Sequence, residues 1–358
     1  MKKTITPILP LASALLIALT QFSAKAQALT AFEIAERSLT QSETVGFEGQ
    51  KQLSVSRLNS GPQTATANIR YVNRRNYSIE ITSPSSIGGI LFHMSNGINS
   101  AFFPDEKLFL FEGGKDTSDM PESIILGQIT DNLNLLKQNY NATPVTEEQV
   151  FIAMNPAWVL DFIPKNGFTP RRKYWVDKDT YQVLKEERYW GSDQAPYSSA
   201  MYTTFKKQEK PVSISKLNPP DGVTKVNLSG KEKNAFLSYS SIAAAEKQEK
   251  IKIAYPGYLP QGFELKYIQV FTLFGARIQV MNFTDGLNDL LVTVRPQQNA
   301  FVTLLAGAFS LNLIKKISDL SYQAPNNYFS RGAGKNICVA FGDLSPSELE
   351  KVANSLPL

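Results

Sequence analysis

The sequence predicts a mainly β, α+β protein in which an antiparallel sheet with an interposed helix precedes a smaller α+β unit. The chain has 358 residues, enough for two or three domains that each have a core. Short alternating apolar runs between turn-forming residues fill much of the first 208 positions, as is typical of antiparallel strands. A stretch at 209–234 that is rich in Pro and Lys and has no apolar period then indicates a linker.

The N-terminus is predicted to be an export signal, residues 1–26. Lys2 and Lys3 form a positive segment, and the apolar run that follows, Ile8 to Leu19, is too short to span a bilayer. Small residues two apart place the cleavage site after Ala26 or after Ala28. A retained anchor is the weaker alternative because the apolar run is short. We therefore expect an exported protein, located in the periplasm of a cell with two membranes.

The first unit is predicted over residues 27–208 and opens with a helix. Thr30 lies three residues before Glu33, which is the spacing of a capping box. Alternating runs from Val45 to Phe111 predict a meandering sheet, and strands are expected again between Thr169 and Lys206. Between these two groups of strands, an apolar stripe at helical spacing predicts a second helix. The stripe consists of Ile125, Ile129, Leu133, Leu136 and Tyr140.

The second unit is predicted over residues 235–358. A small helix is expected around 240–250, and three strands are expected at 265–271, 277–283 and 290–294. Ser345, Pro346 and Glu348 combine a capping box with a proline at the first helical position, so a closing helix is predicted there. The second unit is therefore a smaller mixture of helices and strands.

The composition excludes several classes of function. Without the three lysines of the export signal, the chain has 34 basic and 32 acidic residues. So small a net charge does not indicate a basic surface for binding nucleic acid. His93 is the only histidine and Cys338 the only cysteine. Zinc sites built from His and Cys, as well as disulfides, are therefore unavailable within one chain. We expect no metal and no cofactor, and we expect Cys338 to be a buried thiol.

Candidate catalytic groups do not form a catalytic arrangement in the sequence. Asp177 and Asp179 could be the paired acids of a hydrolase, but they fit a tight turn between two strands. Glu186 and Glu187 are adjacent in a strand and should point to opposite faces. The basic run 171–173 could grip lipid phosphates, but such runs at strand ends are usually solvated. The sequence therefore predicts a protein that is not an enzyme.

Aromatic residues of the first unit are candidates for a lipid-binding cavity. A curved sheet of this size can enclose an acyl chain beneath a helix. The alternative is that these side chains simply fill the core, and we favour it for most of them. The residues predicted to contact a lipid are Phe92, Phe103, Phe109, Trp158, Phe162 and Trp175.

Motifs of both units resemble those of known families. Thr169–Asp177 followed by Leu184–Tyr189 resembles the strand, Trp-Val-Asp, turn and strand pattern of the lipoprotein carriers LolA and LolB. In the second unit, Tyr258–Phe263, Phe283–Leu287 and Val339–Pro346 are similar to the C-terminal domain of the sigma-E factor regulatory proteins RseB and MucB. The RseB/MucB family combines these two domains in this order behind a signal peptide, so the resemblance covers nearly the whole mature chain.

This resemblance implies a fold and a function. The fold would be a LolA-like antiparallel half-barrel with a helical plug, followed by a smaller α+β domain. Members of the family bind the periplasmic domain of a membrane-anchored anti-sigma factor, RseA or its equivalent, and shield it from proteolysis. Lipid-like or lipopolysaccharide-type signals of envelope stress would release the partner. The resemblance carries over no individual contact residue.

Two other functions remain open at the level of the sequence. A soluble periplasmic carrier of lipids or lipoproteins would use the first unit, with the second as an accessory. A secreted hydrolase would need carboxylates that the sequence does not pair. The second unit favours the regulator over the carrier because a simple carrier does not need it.

Overall fold

The computed structural model describes most of the chain beyond residue 28. The described residues are 29–41, 45–57, 60–73, 75–113, 129–130, 132–143, 145, 149–191, 193–208, 214–227, 238–273, 276–296 and 327–357. The predicted export signal, the first residue of the predicted apolar stripe, Ile125, and both ends of the predicted linker lie outside them. Among the described residues, no helix is both long enough and apolar enough to cross a membrane.

A sheet of thirteen strands forms the first unit. Its strands follow one another in space in the order β13-β6-β5-β4-β3-β2-β1-β12-β11-β10-β9-β7, and β8 also pairs with β9. The pairs are antiparallel except for β13 beside β6. The strands are β1 (Phe47–Arg57), β2 (Ser60–Asn73), β3 (Asn76–Ser83), β4 (Leu91–Ser95), β5 (Ile98–Phe103), β6 (Leu108–Gly113), β7 (Tyr140–Ala142), β8 (Val150–Ile152), β9 (Asn155–Pro164), β10 (Arg171–Asp177), β11 (Val183–Tyr189), β12 (Ser198–Lys207) and β13 (Thr224–Asn227).

The predicted linker contributes to this sheet where it is described. Thr224–Asn227 forms the edge strand β13. Upstream of it, Ile214 is buried and its carbonyl oxygen accepts a hydrogen bond of 3.1 Å from the Ser95 hydroxyl. Residues 214–227 are therefore held against the first unit.

Two helices pack on the β9–β11 end of the sheet. Helix α1 (Ala31–Gln41) begins at the predicted capping box, in which the Glu33 amide donates to the Thr30 hydroxyl at 3.2 Å and the Glu33 carboxylate accepts from the Thr30 amide at 2.7 Å. Helix α2 (Leu133–Asn139) is shorter than the predicted stripe. Tyr140 starts β7 instead of extending the helix. Apolar side chains of both helices join those of β9, β10 and β11 in one buried cluster.

In its described residues, the second unit is a six-stranded sheet with two helices. The strand order is β14-β15-β16-β17-β19-β18, and all pairs are antiparallel. Ser345 caps the last helix as predicted, since its hydroxyl accepts from the Glu348 amide at 3.3 Å. The elements are β14 (Ser238–Tyr239), α3 (Ile242–Glu249), β15 (Glu264–Leu273), β16 (Ala276–Thr284), β17 (Asp289–Pro296), β18 (Asn327–Ala333), β19 (Asn336–Gly342) and α4 (Pro346–Asn354). The prediction of a mainly β, α+β fold is confirmed.

Candidate functional site at the junction of the two units

The predicted lipid-contacting aromatics do not form one cluster. Phe92, Phe103 and Trp175 belong to the large core along β1–β6 and β12. Phe92 and Phe103 meet edge to face with ring centroids 6.4 Å apart. The Trp175 ring is covered by two lysines, with the Lys185 Nζ at 4.2 Å and the Lys173 Nζ at 5.3 Å from its centroid.

The other three aromatics lie elsewhere in the first unit. Trp158 and Phe162 join the cluster beneath α1 and α2, where Trp158 packs on Tyr181 at a centroid distance of 5.1 Å. Phe109 stacks on Phe111 at 5.7 Å. A lipid cavity lined by all six would have to join two separate cores, so their role stays a prediction.

A cleft of about 550 Å³ lies in the second unit. It is bounded by residues 251–254 and by Arg277, Gln279 and Arg295, and none of the six aromatics lines it. Arg277 is already bound to the Glu249 carboxylate at 2.6 Å. The cleft is therefore lined by both polar and apolar side chains, and its described lining contains no pair of carboxylates that could act as acid and base.

The groups that sequence reasoning set aside as catalysts occupy structural positions. The Asp177 carboxylate accepts from the Thr180 amide and hydroxyl, both at 2.7 Å, and so closes the predicted turn. Glu186 is buried, whereas Glu187 binds Lys185 at 2.7 Å, so the two adjacent carboxylates do not converge. Burial raises the pKa of the Cys338 thiol to about 11. Within the described ranges, no group of three or more His, Cys, Asp or Glu side chains could hold a metal ion.

The most concentrated polar structure in the described chain joins the two units. Arg172, on β10, is 7% exposed, and its charged guanidinium lies in the contact between the two units. Its Nε and Nη2 donate to the Asn288 Oδ1 at 2.8 and 2.5 Å. Its Nη2 also reaches the Asp343 Oδ2 at 3.1 Å, and its Nη1 donates to the Glu186 Oε1 at 2.9 Å. One guanidinium of the first unit thus binds two side chains of the second.

A second arginine completes a ring of charges. Arg188, on β11, donates from Nε to the Glu186 Oε1 at 2.9 Å and from Nη1 to the Asp343 Oδ2 at 2.5 Å. Glu186 and Asp343 each accept from both arginines. Because β10 and β11 are neighbouring strands, Arg172 and Arg188 face each other in register. The ring forms because the residue that follows β19, Asp343, docks between them.

The loop between β16 and β17 makes a second set of polar contacts with the first unit. Tyr140 donates to the Asp285 Oδ2 at 2.6 Å and accepts from the Asn288 Nδ2 at 2.6 Å. Asn139, at the end of α2, donates to the carbonyl oxygens of Gly262 and Asp285, both at 2.9 Å. Asp285 and Asn288 have no exposed surface, so these contacts exclude water. We call the eight side chains of the two sets the junction network: Asn139, Tyr140, Arg172, Glu186, Arg188, Asp285, Asn288 and Asp343.

Apolar residues cross the junction in both directions. Leu287, in the loop of the second unit, packs against the cluster beneath α1 and α2. Phe168, which precedes β10, packs against the core of the second unit. Each unit therefore covers part of the other's core, and the junction holds them by burial as well as by hydrogen bonds.

The charges of the junction network are nearly balanced. Burial opposes the ionisation of Glu186, but the charges of Arg188, Arg172 and Lys51 outweigh it and keep the pKa of this carboxyl below its ordinary value. With Lys51 included, three buried cations lie in the same region as three buried carboxylates, those of Glu186, Asp343 and Asp285. A buried ion ring whose members are all paired resists separation, because opening it leaves unpaired charges. Its geometry suits fixing the orientation of the units rather than transferring protons.

The expectation that the basic run 171–173 is solvated was wrong for Arg172. Arg171 binds Asp161 near the surface at 2.7 Å, whereas Arg172 is buried at the junction. The alternation of β10 contains a signal: Arg172, Tyr174 and Val176 share one face, and the last two are apolar enough to predict burial. The two-residue alternation of β10 therefore predicts that Arg172 lies on the buried face of the strand, with Tyr174 and Val176.

Lys51 predicts a pH dependence of stability. It is 2% exposed, with its Nζ 5.3 Å from the centroid of the Tyr202 ring, and burial lowers its pKa to about 8. Because the pKa is lower in the folded state, the unfolded chain binds more protons between about pH 8 and pH 10.5, and stability rises with pH in that window.

We expect the free energy of unfolding to increase by about 2 kcal/mol between pH 7 and pH 9.5 and Lys51→Met to remove most of this increase. Urea unfolding of both proteins across this range measures it. Equal pH profiles would show that Lys51 titrates in the folded protein as it does in the unfolded chain.

Comparisons with known proteins identify the fold. No protein-family model and no curated protein matches the chain. A crystal structure of MucB matches with 14% identity and a TM-score of 0.53, over 91% of this chain and 97% of that one. The MucA/MucB complex of Pseudomonas aeruginosa matches with 13% identity and a TM-score of 0.54, and MucB in complex with MucA(peri) with 13% and 0.51. Both cover 91% of this chain and 98% of the other. The chain thus has an RseB/MucB-like fold that includes both units.

Proposed function

We propose that the protein is a non-enzymatic periplasmic regulator that binds the periplasmic part of an RseA-like anti-sigma factor and responds to lipid-like signals of envelope stress. The observation that carries the proposal is the extent of the fold likeness, which runs through both units and covers nearly all of MucB. Two of the similar structures are complexes of MucB with MucA. A protein that needed only the first unit, such as a lipid carrier, would gain nothing from the second.

The junction network supports this proposal because it gives the two units a defined relative orientation. A partner that contacts both units then meets a preorganised surface and loses little free energy in ordering it. A lipid that entered the first unit could weaken partner binding by changing that orientation. The coupling would be reciprocal, with each ligand lowering the affinity of the other by the same factor.

Binding measurements with and without lipid test the proposal. The periplasmic segment of the anti-sigma factor from the same organism is immobilised, and the mature full-length protein is titrated over it. Because couplings of this kind are typically about 1–3 kcal/mol, saturating short amphipathic lipid should weaken capture roughly 5–150-fold. The variant Phe92→Leu removes the ring of a predicted lipid contact but keeps an apolar side chain in the core, and we expect it to capture the partner normally but to respond less to lipid.

Two other outcomes have distinct meanings. Capture that is unchanged at saturating lipid would refute release by lipid and leave a passive shield of the anti-sigma factor. Failure to capture the partner, together with lipid binding, would refute the regulator and favour the soluble carrier.

A further inference from the structure

A hairpin at the edge of the first sheet has an unusual turn. Strands β8 and β9 are joined by two residues, Ala153 and Met154, with φ angles of 47° and 68°. Both angles lie in the left-handed region, which suits Gly, Asn and Asp and is strained for other residues. The same sheet contains the ordinary solution: Asn96 and Gly97 join β4 to β5 with φ angles of 52° and 76°.

The hairpin tip exposes apolar side chains. Met154 is 93% exposed and Phe151 is 57% exposed. The neighbours of Phe151 on β8, Val150 and Ile152, pack into the core, so the strand alternation points Phe151 outwards. We call Phe151, Ala153 and Met154 the hairpin tip.

The turn is fixed in place. The Asn155 side-chain amide donates to the carbonyl oxygen of Ala153 at 2.6 Å and also reaches the carbonyl oxygen of Phe205 on β12 at 3.4 Å. The turn is therefore both strained and apolar at its surface. Asn and Gly at positions 153 and 154 would remove the strain and the exposed apolar side chain. We interpret this combination of strain and apolar exposure as a binding surface, because strained backbone persists chiefly where it serves a function.

Two lysines lie on segments that contact the hairpin. The Lys178 amide donates to the carbonyl oxygen of Pro156, which lies opposite Phe151 in the hairpin, at 2.9 Å. Lys206 is exposed and follows Phe205, which contacts Asn155. Neither lysine forms an ion pair with a residue that the structure describes. The segments beside the hairpin tip thus carry two lysines with no ion-pair partner among the described residues, whereas the neighbouring Asp179 is neutralised by Lys207 at 2.6 Å.

We propose that the hairpin tip inserts Met154 and Phe151 into the surface of an anionic phospholipid bilayer, with Lys178 and Lys206 at the headgroups. A protruding apolar point with flanking lysines fits a lipid interface, where the lysine stems lie along the acyl boundary and the ammonium groups stay in water. A protein partner is less suited to it, since lysine is depleted in protein interfaces. This proposal concerns an outer surface and does not depend on the regulator function.

Flotation with vesicles tests the proposal. The mature protein is mixed with vesicles of phosphatidylethanolamine containing a quarter phosphatidylglycerol, and the bound fraction is measured. The double variant Ala153→Asn with Met154→Gly keeps the hairpin, relieves the strain and removes the Met154 side chain. We expect it to bind at least about tenfold more weakly, because it no longer buries a methionine, and to melt at the same or a higher temperature.

Matched controls separate the tip from other surfaces. Tyr328→Ser removes an exposed aromatic, 68% accessible, from β18 of the second unit and should leave flotation unchanged. Lys178→Gln with Lys206→Gln should weaken binding by roughly fivefold for each lysine, as should vesicles without phosphatidylglycerol for the same electrostatic reason.

Three results would overturn the proposal. The first is failure of the unmodified protein to float with these vesicles. The second is equal flotation of the unmodified protein and the Ala153→Asn, Met154→Gly variant. The third is a variant that floats normally but loses capture of the anti-sigma segment, which would assign the hairpin tip to a protein partner instead.

Discussion

Replacing Arg172 with alanine is expected to lower the free energy of unfolding of the whole protein by about 3–5 kcal/mol. The change removes donors from Asn288, Asp343 and Glu186 at once. All three acceptors are buried and cannot recover the lost bonds from water. Arg188 would then be the one arginine left between the Glu186 and Asp343 carboxylates, and the desolvation of these two carboxylates would be only partly compensated.

The control for this prediction is another arginine–glutamate pair of the first unit. Arg70 binds Glu48 at 2.7 Å, but the two side chains are 53% and 43% exposed. Arg70→Ala should therefore cost less than about 1 kcal/mol. Urea unfolding of both variants compares them directly. Similar small losses would mean that the junction network opens readily and does not hold the units together.

A lysine in the same position tests the geometry of the junction. Arg172→Lys keeps the charge but cannot supply the planar fork that binds Asn288 on one side and Glu186 on the other. We expect most of the loss seen with alanine to remain. Full recovery with lysine would show that charge alone, without directed hydrogen bonds, is what the site requires.

Local patterns predicted the parts of the fold that depend on local interactions. The capping box at Thr30 and the serine cap at Ser345 were found as predicted because a cap needs only residues three positions apart. The three predicted strands of the second unit are present as β15, β16 and β17, with ends shifted by one or two residues. Tyr140 was placed in a helix because its spacing continues the stripe, but pairing with Pro164 of β9 draws it into a strand.

The candidate site could not be predicted in the same way. Tyr140 and Asp285 are 145 positions apart, and Arg172 and Asp343 are 171 apart. No periodicity in one segment can indicate which distant segment will supply the opposite charge. The one local signal was the shared face of Arg172 and Tyr174, which predicts burial of the arginine but not its partners. The resemblance to known families supplied the order of the units, and the structure supplied the contacts between them.

Gly286→Ala is expected to disrupt the junction from its other side. Gly286 lies in the loop between β16 and β17 with a φ of +101°, where a residue with a side chain is strained. A Cβ atom there would lie 2.6 Å from the backbone nitrogen of Leu136 and 3.0 Å from the carbonyl carbon of Leu135. These are backbone atoms of α2, so no side-chain rotation relieves the clash. The loop must move away from the helix, and the bond between Tyr140 and Asp285 must lengthen or break.

We expect this substitution to cost about 2–5 kcal/mol, the sum of the conformational strain and the overpacking against α2. The matched control is Gly97→Ala, since Gly97 also has a positive φ, +76°, but no atom lies within 4 Å of a Cβ placed there. Its cost should be the conformational part alone, about 1–2 kcal/mol. The difference between the two variants in urea unfolding isolates the close approach of the loop to α2. If both variants lose the same free energy, the loop does not press against α2 in solution. In that case Gly286 would serve only the shape of its own turn, and the orientation of the two units would rest on the charge ring around Arg172.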